Sequence, residues 1–201
     1  MPAEAKRNAL VQAAYREIAA NGFEGLRTRE VAAAVGVNIA TLHYYFPSKE
    51  DLIRGVVGHA MARFQTTLPA KGEADAQLRQ HFQGLRRLAR EEPDLFKVMG
   101  ELALRAARDR GMAEILSKMN DVWYSTLRTL LRRAVESGAV VKTVDPEDMA
   151  ALIVSMLKGI YLLPASASAD PGRLERPLRQ MERLLGLRAA RGKSAGTRTK
   201  G

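Results

Sequence analysis

The chain contains no cysteine. That excludes a disulfide framework, a thiolate metal site and a cysteine nucleophile. It also lacks a hydrophobic run of the roughly 18–20 residues that a membrane span needs. Its longest apolar run, Met149 to Leu157, stops at Lys158. The first residues carry Glu4, Lys6 and Arg7 without an apolar stretch, which argues against a secretory signal. Sustained period-two alternation is missing too, so no sheet is expected. A soluble, cytoplasmic, all-helical protein is the expectation. With no cofactor motif in a suitable context, no cofactor is expected. His59 and His81 have no metal-ligand spacing with each other or with carboxylates, so no metal site is expected either.

At 201 residues the chain can bury a sizeable core in one or two domains. Its formal net charge of +10 points to a polyanionic partner. The placement of that charge matters more than its total. Residues 1–50 hold six Lys/Arg against five Glu. The tail from Arg188 holds Arg188, Arg191, Lys193, Arg198 and Lys200 and no acid. Half of the excess therefore sits in the last fourteen residues, 188–201, read as a disordered basic tail.

Apolar residues recur at helical spacing along most of the chain. Leu10, Ala13, Ala14, Ile18 and Ala19 make one face of a first helix that Asn21-Gly22 ends. A long helix starts at Ser48 and carries Leu52, Val56, Val57, Ala60 and Phe64 to a break at Pro69–Gly72. Three longer helices follow. Their stripes are Leu78, Phe82, Leu85, Ala89; then Leu95, Phe96, Met99, Leu102, Ala106; then Ile115, Met119, Val122, Trp123, Leu127, Leu130, Leu131, Ala134, Val135. Pro93 suits a first helical turn and Gly138 a helix end. Asp145-Pro146-Glu147-Asp148 combines an N-cap, Pro at the first helical position and acids in the first turn. The helix it opens, 146–163, is apolar on more than one side through Met149, Leu152, Ile153, Met156, Leu157, Ile160 and Tyr161, so it must be buried on more than one side. A loop spans Pro164–Pro171, and a last helix near 173–186 carries Leu174, Leu178, Met181, Leu184 and Leu185.

The most specific signal is Thr28 to Asp51. Thr28 is placed to cap a short helix, with Glu30 in its first turn. Val31 and Val35 face the core, and Ala32 and Ala33 allow close helix contact. Gly36 supplies a left-handed turn and Asn38 caps a second helix. Leu42, Tyr45 and Phe46 stand at i, i+3 and i+4, so at least Leu42 and Phe46 anchor that helix, which leaves Ile39, Ala40, His43 and Tyr44 on its other side. In a major groove Ile39 and Ala40 could meet thymine methyls, while Arg29, Thr41, His43 and Tyr44 supply polar readout. Ser48-Lys49-Glu50-Asp51 is a capping box, and the helix end it forms, with Lys49, suits a phosphate.

These residues resemble the reader of TetR-family transcriptional regulators. The agreement runs through Thr28, Val31-Ala32, Gly36-Val37-Asn38, Thr41-Leu42, Tyr45-Phe46, Ser48-Lys49-Glu50 and Leu52. His43 departs from the pattern, standing where the family places a tyrosine that often contacts the DNA backbone or a thymine; it can still donate a hydrogen bond, and its contact would depend on pH. The sequence resemblance covers residues 1–65; beyond that it is architectural. It implies a three-helix DNA-binding domain over 1–47 and a larger helical regulatory and dimerisation domain over 48–187, with 48–65 as the connecting helix. It also implies a homodimer through the helices near 146–163 and 173–186. Such a dimer would read a palindrome with recognition helices about 34–36 Å apart. The resemblance implies a repressor released by a small-molecule inducer, since repression is the family's common mode. The DNA-contacting set is then Thr28, Arg29, Asn38, Ile39, Ala40, Thr41, His43, Tyr44, Tyr45 and Lys49. Candidate residues for a small apolar or aromatic inducer are His81, Phe82, Phe96, Met99, Met119 and Trp123, against the alternative that they are core packing. A second reading is a DNA-binding regulator or architectural protein with no small-molecule ligand.

An enzyme is not expected. Gly192-Lys193-Ser194-Ala195-Gly196 matches a nucleophile-elbow pattern, but that motif needs a strand-to-helix turn in a parallel sheet. Gly192-Lys193-Ser194 also resembles the end of a phosphate loop, but Leu187 stands where that loop needs glycine.

Overall fold

A computed structural model describes residues 2–69, 71–162 and 172–187. The Pro164–Pro171 loop, apart from its surroundings, and the basic tail 188–201 with its two glycine motifs lie outside the described residues. Among those described, all regular structure is helical. The helices are α1 (Ala3–Gly25), α2 (Thr28–Val35), α3 (Ile39–Tyr45), α4 (Lys49–Gln65), α5 (Ala74–Glu91), α6 (Pro93–Ala106), α7 (Arg110–Glu136), α8 (Pro146–Tyr161) and α9 (Gly172–Leu184).

Local chemistry sets most of the ends. Gly22 interrupts α1 with φ 72° and ψ 175°, so the regular helix breaks where Asn21-Gly22 predicts it. Asn38, Ser48, Asp109 and Asp145 each cap a helix through a side-chain oxygen. Thr28 does not. The first intrahelical bond of α2 runs from Val31 N–H to the Arg27 carbonyl, which makes Arg27 the cap position and Thr28 the first helical residue.

The helices pack in two connected groups. α1 lies against α2 and α4, and α2 against α3, around Leu10, Ala14, Ile18, Val31, Leu42 and Phe46. α7 packs on α5, α6 and α8, and α9 closes on α5 and α8. Arg86 ties α5 to α9 by a two-pronged contact with Glu182, at 2.8 and 3.1 Å. α6 is shared: it touches α1 and α4 on one side and α5, α7 and α8 on the other.

Three apolar positions differ from the periodic reading. Val122 is 60% exposed; at 3.6 residues per turn it falls roughly 120° away from the line through Leu116 and Leu127. Leu184 is 53% exposed, while Leu178 and Met181 carry the inner face of α9 and Leu185, just past its end, is buried. Ala33 is exposed, so Ala32 alone makes the close contact expected of the pair. α8 buries Ala150, Ile153, Val154 and Leu157 within the chain and leaves Leu152 half exposed.

Candidate nucleic-acid interface and regulatory cavity

The α2–α3 turn is built from three residues. Gly36 sits at φ 71°, and the chain closes by bonds from Gly36 N–H to the Ala33 carbonyl and from Val37 N–H to the Ala32 carbonyl, both 3.0 Å. Asn38 Oδ1 then accepts from Thr41 N–H at 2.8 Å and from Thr41 Oγ1–H at 2.9 Å. Leu42 and Phe46 are fully buried and fix α3 on the core. Ala40, His43 and Tyr44 project outward, with Tyr44 80% exposed. Tyr45 is half-buried, its ring edge-on to Tyr44 at 5.2 Å. Arg29 is exposed in the first turn of α2, and Thr28 beside it is half-buried.

Ile39 is not on the outer face. It is half-buried and packs on the core, because it stands three residues before Leu42 and shares that side of the helix. The outward surface of α3 therefore rests on Ala40, His43 and Tyr44, with Thr41 at its edge.

At the start of α4, Ser48 Oγ accepts from Asp51 N–H at 3.0 Å and donates to Asp51 Oδ2 at 2.7 Å. That bond from Ser48, helped by Arg54, holds the Asp51 carboxyl below the ordinary range. Lys49 lies half-buried with its Nζ 5.5 Å from the centre of the Phe23 ring. Sequence reasoning missed Arg7. Its guanidinium sits 5.0 Å from the centre of the Phe46 ring, which brings a cation from α1 to the end of α3. An open groove of about 780 Å³ runs beside it between α1 and α4, past Pro47 and Arg54. The signal for Arg7 was a cation on the outer side of the first helix, which sequence alone cannot attach to α3.

A second feature lies where α4, α6, α7 and α8 meet. A cavity of about 50 Å³ is lined by Met61, Phe64, Gln65, Leu68, Met99, Met119, Val122, Trp123, Thr126 and Tyr161. Burial pushes the Tyr161 phenol up to about 12, so it is neutral at ordinary pH and every wall is uncharged. Of the predicted ligand residues, Met99, Met119 and Trp123 line this cavity. Phe82 does not, being fully buried in the core. Phe96 stands behind the wall, edge-on to Phe64 at 5.8 Å.

His81 also stands behind the wall, and its hydrogen bonds define its state. Trp123 Nε1–H can only donate, and it lies 3.3 Å from His81 Nε2, so that nitrogen is the acceptor. Nδ1 then carries the proton and donates to Thr67 Oγ1 at 2.7 Å, while Thr67 donates its own proton to the Phe64 carbonyl at 2.6 Å. Complete burial, slightly offset by the bond with Thr67, pushes the His81 pKa down to about 4. The imidazole is neutral and both nitrogens are satisfied.

Among the described residues, no group of three His, Asp or Glu side chains is placed to hold a metal ion. No described helix is long and apolar enough to cross a membrane.

Comparison with known proteins adds two family matches. Residues 10–56 match bacterial regulatory proteins of the tetR family, and residues 74–186 match the C-terminal domain of BetI-type transcriptional repressors. The chain is similar to the HTH-type transcriptional regulator BetI of Rhizobium meliloti, 28% identical over 167 residues that cover 82% of this chain and 80% of that protein. It is also similar to the class D tetracycline repressor of Escherichia coli, 27% identical over 138 residues. That match covers 68% of this chain and 56% of the repressor, so the chain spans little more than half of that relative's length. In structure it resembles a regulator from Saccharomonospora viridis crystallised in complex with choline, with TM-score 0.72 and 20% identity over 90% of this chain and 97% of that one.

Proposed function

The chain belongs to the tetR family of bacterial regulatory proteins, and from that premise we propose that it is a sequence-specific DNA-binding repressor whose grip on a palindromic operator is released by a small molecule. The observation that carries this reading is α3. It is a seven-residue helix capped by Asn38 and pinned by Leu42 and Phe46, with its other face turned outward. Ala40, Thr41, His43 and Tyr44 read base edges from that face, joined by Arg29 from α2. Thr28, Asn38, Tyr45, Lys49 and Arg7 position the head on phosphates, with the N-terminus of α4 beside Lys49. Ile39 contributes through whatever edge it leaves uncovered, and chiefly holds α3 in place.

The active form is a homodimer. Leu152 on α8 and Leu184 on α9 are each about half exposed, on helices whose other faces are already buried in the chain. A two-fold contact across these helices buries them and sets two recognition helices for adjacent major grooves. The protein acts in the cytoplasm, where its DNA is, and the reading gives it no catalytic role.

The effector site is the cavity below α4. Its neutral walls disfavour a carboxylate or phosphate and suit an apolar or aromatic molecule. The faces of Phe64, Trp123 and Tyr161 also suit a quaternary ammonium, the chemistry of the choline held by the S. viridis relative. A volume of about 50 Å³ is well below the roughly 300–1,000 Å³ of an occupied small-molecule site. Entry therefore requires the walls to move, and Met61, Met99 and Met119 are the pliable ones.

Footprinting on DNA from around the protein's own gene, over a salt series and with competitor DNA, tests the central reading. A protected palindrome that competitor fails to displace supports it. Binding uniform across sequences and lost with salt would reduce the interface to phosphate contacts.

A further inference from the structure

The helix that joins the reading head to the body is α4. The structure shows a second connection, through α6. Gly22 turns the chain sharply at the end of α1, and the next residue, Phe23, points its N–H at Glu101 Oε2 on α6, 2.8 Å away. A side chain at Gly22 would crowd the same carboxylate, since a Cβ there would lie 3.2 Å from Oε2. One turn further along α6, the Arg105 guanidinium lies 5.0 Å from the centre of the Phe23 ring, and Asp109 holds that guanidinium at 3.2 Å. The other cation on the ring is Lys49, at the head of α4. Phe23 itself is buried. A carboxylate on α6 thus holds a backbone N–H of the head, and a cation on α6 holds the side chain of the same residue.

The opposite side of α6 faces the cavity. Met99 lines it, and at 3.6 residues per turn Met99 and Glu101 point roughly 200° apart. Gly100 lies so close to α8 that a Cβ there would collide with the carbonyl oxygen of Tyr161, itself a wall residue. α6 is therefore wedged between the cavity and the turn that begins the helix-turn-helix. A rigid helix in that place transmits displacement from one face to the other.

We propose that Glu101 is a positioning residue that fixes the orientation of the reading head through Phe23, so that α6 steers the head alongside α4. Its part in an effector response rests on the reading of the cavity given above; its hold on the head does not, and the test needs no effector.

The absence of native cysteine makes the test direct. Cysteines at the exposed positions Glu30 on α2 and Glu114 on α7 carry a pair of spin labels, one on the head and one on the body. Labelled chains are diluted into unlabelled chains, so that only the distance within one chain is read. One narrow distance distribution is expected for the otherwise unchanged protein. Glu101→Ala removes the acceptor, and a broadened or displaced distribution is expected. Glu101→Gln keeps a carbonyl oxygen for the Phe23 N–H and is expected to restore the narrow distribution. Glu101→Asp, a milder change that withdraws the carboxylate by one methylene, is expected to broaden it and serves if Glu101→Ala fails to fold. A distribution unmoved by both Glu101→Ala and Glu101→Asp would overturn the proposal. So would a Gln variant as disturbed as the Ala variant, because the hold would then not be the hydrogen bond. An operator-binding failure with these distances as expected would count against the proposed function and leave this link standing.

Discussion

Acid should unfold this protein partly through one buried side chain. His81 has an ordinary pKa of 6.5 and a folded value of about 4. Between those values the unfolded chain holds a proton that the folded chain refuses. Stability contributed by the neutral imidazole is therefore fully present above about pH 6.5 and is lost as the pH falls toward 4. Each pH unit in that window is worth about 1.4 kcal/mol, so the whole linkage is on the order of 3 kcal/mol. About 2 kcal/mol of it should be gone on going from about pH 7.5 to about pH 5. His59 shifts in the same sense, mainly by burial, and the carboxylates of Glu92 and Asp109 titrate lower down, so the raw pH slope is not diagnostic. The comparison is therefore with His81→Gln, which does not titrate. Urea unfolding followed by fluorescence at both pH values measures the difference, and the chain has one tryptophan, Trp123, bonded to His81 itself. The parent should lose about 2 kcal/mol more than the variant over that interval. Equal losses would mean that His81 is protonated in the fold or hydrated through an opening, and the assigned tautomer would fall with it.

Three further outcomes follow from separate parts of the structure. Asn38→Ala should cost about 1 kcal/mol of stability and weaken operator binding, whereas Asn38→Asp, which keeps the oxygen facing Thr41 N–H, should hold its stability; thermal unfolding beside gel-shift titration checks both. Leu152→Glu combined with Leu184→Glu should yield a folded monomer with weakened operator affinity, seen by sedimentation and circular dichroism, and a dimer that survives both charges would move the interface elsewhere. Small apolar, aromatic and quaternary ammonium compounds should change the fluorescence of Trp123, and a binder that does so should release operator DNA; choline is a rational first probe, and a saturable binder that leaves Trp123 emission untouched would exclude the proposed cavity.

The helix-turn-helix was legible because each of its determinants acts within about four residues. Gly36 needs only its own backbone conformation, Asn38 reaches Thr41, and Ser48 reaches Asp51. Besides exposed Ala33, two local differences have equally local causes. Thr28 is a good capping residue one position too late, since the Arg27 carbonyl takes the first helical bond. Ile39 adjoins the outward Ala40, but its spacing to Leu42 puts it on the inner side.

The regulatory parts were less legible because they are defined between helices. Periodicity shows that Phe82, Phe96 and Met99 lie on inward faces; it does not say what each face meets. Phe82 meets solid core, Phe96 a second layer, and Met99 the small cavity. The remaining walls come from Met61 and Phe64 on the helix leading to the head and from Tyr161 at the end of α8, and no spacing rule links those segments. His81 illustrates the same limit. A lone histidine on an apolar stripe reads as ordinary packing until Trp123, forty-two residues away in sequence, turns its N–H toward it. Glu101 is the extreme case. In α6 it looks like a solvated acid, and its partner is a backbone N–H seventy-eight residues earlier. What local rules miss here is the coupling, and a regulator's response is carried by contacts of that kind: they join parts of the chain that can move relative to each other. Substitutions at Glu101 or His81 should therefore alter the response more than the helices themselves, while substitutions at Gly36 or Asn38 should alter the reader first.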